Sequence, residues 1–132
     1  MNAIETGLYS ALSGDSALTT KLGGSFIYNQ IAPQTQAFPY VVFQHTGGGH
    51  MNINPSDLQG HLYLVKAVDD DVKVAGQVDD LVKAVLHQGT LTVSGYTNVQ
   101  TLRETQVRIA EVLSSGKVVY HAGAYYRILV DA

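Results

Sequence analysis

Apolar residues along this chain switch between a helical period and a strand period, and the switches mark its elements. Ile4, Leu8, Ala11 and Leu12 recur at helical spacing, which predicts a short helix over residues 2–12. Asn2 with Glu5 three positions on resembles a capping box. Gly14 ends this helix, Asp15 is placed to cap a second over 16–22, and Gly23 with Gly24 stops that one. Leu18 and Leu22 would pack it on the first. A brief β segment follows at 26–28, before Pro33 and Pro39 break the chain on either side of a polar stretch. The run Tyr40, Val41, Val42, Phe43 is β-prone through its branched and aromatic side chains. Residues 58–68 alternate, placing Leu58, Leu62, Leu64 and Val68 on one face of a second full strand.

Asp69, Asp70 and Asp71 then open a helix over 71–87, since acids favour the positive end of the helix dipole. Its predicted core stripe is Val74, Val78, Leu81, Val82 and Val85, while Lys73, Asp79, Asp80 and Lys83 face water. Asp79 and Lys83 would form an i, i+4 pair. Residues 91–96 predict a short strand broken at Gly95. Residues 99–112 fit either period, because Leu102, Val107, Ile109, Ala110 and Leu113 have partial helical spacing. The segment after them alternates and needs a partner, so two antiparallel strands are expected, joined by a turn at Ser114, Ser115, Gly116 and Lys117. In the last strand Val118, Tyr120, Ala122, Ala124, Tyr126, Ile128 and Val130 share one face. His121, Tyr125, Arg127 and Leu129 share the other. With no internal repeat and no linker, one domain over 1–132 is expected.

Charge changes the picture. Residues 22–56 contain no Asp, Glu, Lys or Arg. Charged residues make up 14% of the chain, against about a quarter in an ordinary soluble domain. Surface that a partner will cover loses charge first, because an imperfectly paired ion is costly to desolvate. The gap therefore predicts a subunit built to sit against other subunits. Its loop over 45–57 carries three consecutive glycines, which predicts a long, flexible connection that orders on assembly. The candidate interface residues are His45, Thr46, Gly47, Gly48, Gly49, His50, Met51, Asn52 and Ile53 on this loop. Tyr125 and Arg127 on the last strand are candidates for a second, complementary face.

Other chemistry finds little purchase. Eight basic against eleven acidic residues leave no footprint for sequence-specific nucleic-acid binding. The absence of cysteine excludes disulfides, thiolate metal sites and Cys nucleophiles. The amino-terminal residues lack a signal-peptide layout and no apolar run approaches membrane-spanning length, so cytoplasmic assembly without a membrane partner is expected. His45 and His50 flank the glycines, but nothing acidic precedes Asp57 to complete a metal site. TGGG lacks the Lys-Ser/Thr of a phosphate loop. No Ser, His and Asp form a recognisable triad. No catalytic, metal or cofactor residue is assigned, and a non-enzyme with no cofactor is expected.

The order of the pieces resembles the tail terminator, or tail-completion, proteins of long-tailed bacteriophages. The resemblance rests on the opening LYSALSGDSALTTKLGG and FIY, then IAPQ and FPYVVFQ, a strand, acids and helix over 58–87, and the closing VVYHAGAYYRILV. It spans nearly the whole chain. It implies an α+β fold, a mixed and mostly antiparallel β-sheet with helices packed on one face. It also implies a homo-oligomer, a hexameric ring at the head-proximal end of the tail tube, that stops tube polymerisation and meets the head connector. Tube protein and connector would be its partners, and genome DNA can pass through the ring. Another head–tail neck or adaptor component is the nearest alternative. A small ligand-binding α+β domain using His45, His50 and tyrosines is the alternative from another class.

Overall fold

The computed structural model describes residues 2–53 and 56–132. Two helices open it, α1 (Asn2–Ser13) and α2 (Ser16–Leu22), followed by β1 (Ile27–Asn29), β2 (Tyr40–His50) and β3 (Gln59–Asp69). Then come α3 (Val72–Leu86), β4 (Thr97–Val112) and β5 (Val118–Asp131). The local signals act as expected at several ends. The Asp15 side chain accepts from the Leu18 N–H at 3.0 Å, and Gly23 closes α2 in the left-handed region, φ 82°. Asp71 accepts from the Lys73 N–H at 2.9 Å and caps α3. Residues 97–112 form a strand, as the alternation after them requires.

The sheet runs β1-β2-β3-β5-β4, with β1 parallel to β2 and every other pairing antiparallel. All three helices lie on one face, giving the α+β architecture expected. The core between the layers joins Ile4, Leu8 and Leu12 of α1, Val78, Val82 and Leu86 of α3, and the inward strand residues. Those inward residues are Val41 and Phe43, Tyr63, Val65 and Ala67, then Ala124, Tyr126, Ile128 and Val130. The inward face of β5 is the one its alternation predicts. The β3 face with Leu62, Leu64 and Val68 is the other one, turned away from the helices, because Leu64 lies opposite Tyr125 while Val65 lies opposite Ala124.

Four expectations are corrected. First, residues 45–50 are not a flexible loop: they continue β2 and pair with β3, Gly48 opposite His61 and His50 opposite Gln59, after a bulge between His45 and Gly47. Residues 54 and 55 of the predicted loop lie outside the described residues. Second, the strand expected at 91–96 is a tight turn with one bridge, Val93 to Tyr96, and Gly95 at φ 81°. Third, the buried stripe of α3 is Ala75, Val78, Asp79, Val82 and Leu86, with Val74, Leu81 and Val85 at its margin. The fourth correction follows from the third. Asp79 does not face water beside Lys83. It is 1% exposed and takes both terminal nitrogens of Arg103, at 2.9 and 2.7 Å, and Arg103 also donates to the Tyr126 hydroxyl at 2.9 Å. The bond to Asp79 above all raises the Arg103 pKa, so the guanidinium stays charged.

Candidate subunit interface

The helix-free face of the sheet is covered over only part of its area. Phe38 stacks on Tyr40 with centroids 5.7 Å apart, and Lys117 sits over the Phe38 ring. This aromatic flap belongs to the segment between β1 and β2. The rest of the face presents Leu62, Tyr125, Arg127 and Leu129, all half-buried. Arg127 is held there by the Glu104 carboxylate, Nε to Oε2 at 2.9 Å. The Met51 sulfur and the Leu129 side chain both close over Gly60. Met51 thus joins Tyr125 and Arg127 on one face rather than forming a separate one.

Beside this face the hairpin tip leaves Met51 and Ile53 half exposed, at 50% and 51%. At the far edge no strand pairs with the outer side of β4 among the described residues. Its first half is tied down, since the Gln88 N–H reaches the Thr101 carbonyl at 2.8 Å and the Arg103 N–H reaches His87 Nδ1 at 3.0 Å. Its second half exposes Ile109 and Val112, at 52% and 69%. The hairpin tip and the end of β4 are thus two of the places where large apolar side chains stand exposed.

The two histidines of the predicted loop do not converge. His50 Nδ1 lies 3.0 Å from Asp57 Oδ1, so an acid does anchor this segment. His45 turns to the helix side, where Nε2 lies 3.0 Å from His61 Nδ1 and its ring meets Tyr63 edge-on. His61 Nε2 lies 3.0 Å from Gln59 Oε1, and Gln59 Nε2 lies 3.5 and 3.4 Å from the Asp57 oxygens. Nearby, Tyr63 donates to Glu5 of α1 at 3.2 Å, and Asn29 donates to the same carboxylate at 2.6 Å. Thr46, the bulged residue, donates to the Leu62 carbonyl at 2.9 Å. Sequence reasoning missed His61, Gln59 and the Asp79–Arg103 pair. A signal existed for His61, a polar residue in the inward phase of a strand whose next inward positions are Tyr63, Val65 and Ala67.

A sheet armoured on one face and open and apolar on the other defines a structural assembly subunit. The family model of the tail completion protein gp17 matches residues 6–131, so the chain belongs to that family, and with it to the structural proteins of bacteriophage tails. Among solved structures, a chain from the virion of a native gene transfer agent particle superposes with a TM-score of 0.82, at 16% identity, over 99% of this chain and 96% of its own. A second solved chain, which carries no functional name, gives 0.66 at 14% identity, over 98% of this chain and 94% of its own. These likenesses establish the fold. No curated protein sequence matches.

Proposed function

We propose that the protein closes the head-proximal end of the tail tube as a hexameric ring, ends tube polymerisation there and presents a surface to the head connector. Membership of the tail completion family supports the place of action. The observation that carries the assembly reading is the half-open apolar face with Leu62, Tyr125 and Leu129, continued by Met51 and Ile53 at the hairpin tip. A ring needs one heterologous contact repeated until it closes, hence two different complementary surfaces on each copy. The hairpin tip, from His45 to Ile53, with Tyr125 and Arg127 beside it, supplies one. The outer half of β4, with Ile109 and Val112, supplies a second that residue periodicity had not singled out.

Phage assembled without the protein should carry tails of uncontrolled length, or heads and tails that fail to join. Normal, joined particles by electron microscopy would defeat the reading. At residue level, replacing Met51 and Ile53 together by Ser should leave the melting temperature within a few degrees of wild type, because half-exposed side chains contribute little to folding. The same variant should assemble poorly in a complementation assay. Wild-type titres would place the contact elsewhere on the surface.

A further inference from the structure

We propose that the hydrogen-bonded chain His45, His61, Gln59, Asp57 is an acid-operated latch on the β2–β3 hairpin. It goes beyond the tail-capping reading and does not depend on it. Its logic lies in the direction of each bond. Ionised Asp57 only accepts, so the Gln59 amide nitrogen faces it and Gln59 Oε1 faces His61. His61 Nε2 must therefore carry a hydrogen. In neutral His61 the other nitrogen, Nδ1, is then an acceptor, and it takes the hydrogen of His45 Nε2 at 3.0 Å. A proton on His45 leaves this arrangement intact. A proton on His61 is accommodated only if His45 is neutral and turns its bare nitrogen toward it. The pair therefore holds one extra proton at most. With two, N–H faces N–H at hydrogen-bond distance and the contact breaks.

What the latch fastens is the far half of β2. His45 sits at the bulge, separated only by Thr46 from the glycines that run opposite residues 60–62, and His61 is 6% exposed. The titratable groups around it come from each neighbouring element. They are Glu5 of α1, Tyr63 of β3, Tyr96 of the turn before β4, and His50 and Asp57 at the hairpin end. Burial above all pushes the His61 pKa below its ordinary value. The neighbouring His45 and His50 act in the same direction, and Glu5 opposes them. The folded chain thus prefers neutral His61 more than the unfolded chain does. Its contribution is complete above the ordinary histidine value of about 6.5 and is lost as pH falls through the lowered one. His50 makes a separate contact, Nδ1 to Asp57 Oδ1 at 3.0 Å, so the N–H against N–H conflict is confined to the His45–His61 contact.

Amide hydrogen exchange on the full chain reads this directly. Between about pH 7.5 and about pH 5, protection of the Gly49 and Met51 amides, which point at β3, corrected for intrinsic exchange, should fall by about tenfold or more, while that of the central β5 amides holds. His61→Asn and His45→Gln each leave one imidazole in the pair, so each should keep its hairpin protection at the lower pH. His50→Asn should behave as wild type. Unchanged wild-type protection, or equal loss in the His61 and His45 variants, would overturn the latch. Should both variants be loosened already at neutral pH, imidazole nitrogen shifts of the wild type decide. The latch requires the hydrogen of neutral His61 on Nε2, and the opposite tautomer overturns it.

Discussion

Asp79→Ala should lower the unfolding free energy by about 3–5 kcal/mol, the usual cost of removing one partner from a buried ion pair. The aspartate side chain is 1% exposed and that of Arg103 12%, so neither charge has water to fall back on. Removing the carboxylate leaves both terminal nitrogens of Arg103 without their main acceptor, with only the Tyr126 hydroxyl remaining on one of them. Arg103→Ala should do comparable damage by leaving the carboxylate unpaired. The position matters as well as the charge. The pair ties α3 to β4 across β5, and β4 is otherwise an edge strand. Replacing both residues together, Asp79→Leu with Arg103→Met, should recover much of the loss, because no uncompensated charge is then buried. Urea unfolding of wild type, Asp79→Leu, Arg103→Met and the double variant gives the coupling energy. A single variant within about 1 kcal/mol of wild type would show that the site admits water and the charges are screened.

The Asp79–Arg103 pair also shows where sequence patterns stop. Hydropathy placed α3 correctly to within a residue at each end, because a long helix with caps announces itself. It rotated the buried stripe, because a carboxylate counts as surface unless a cation is known to meet it. That cation lies twenty-four residues further on, in a segment whose own period was ambiguous. In β5 strict alternation identified the inward face, since every second residue from Ala122 to Val130 is buried. In β3 alternation grouped Leu62 with Leu64 and Val68, but period two is silent about which face the helices will cover. Register against β5 decides that, and register is a property of two strands.

The candidate interface was legible to a similar degree. Tyr125 and Arg127 were assigned to the uncovered face from alternation alone, and they lie there. Met51 reaches the same face only because the hairpin folds back over Gly60, a tertiary event with no local signal. The exposed outer half of β4 went unnoticed because an edge strand and an interior one can carry the same residues. A charge-free stretch carries no signal of how it is divided, and three uses share it in the fold. Part is the aromatic flap, part is the paired strand and part is the hairpin tip.

The three glycines are the clearest case of a right residue read for a wrong reason, and Gly48→Ala tests the difference. If the glycines serve mobility, alanine should cost little and even stabilise by restricting the unfolded chain. The structure points the other way. Gly48 lies at φ 94°, a left-handed conformation that costs a residue with a Cβ about 1–2 kcal/mol. A Cβ there would also lie 2.1 Å from the Gly60 carbonyl oxygen and 2.8 Å from the His61 Cα, both backbone atoms that cannot swing aside. Overpacking of this kind adds typically about 1–3 kcal/mol. The strand must therefore separate or slip, and slippage by one residue would turn the far half of β2 onto the opposite face. His45 would lose its place against His61, so one substitution should both destabilise the fold and expose the hairpin to protease at neutral pH. Gly47→Ala is the matched control, since nothing lies within 4 Å of a Cβ at that position and its backbone is not left-handed. It should cost much less. Equal, small losses in the two variants, measured by thermal or urea unfolding, would restore the mobile-loop reading and remove the close approach of β2 to β3 as the reason for glycine.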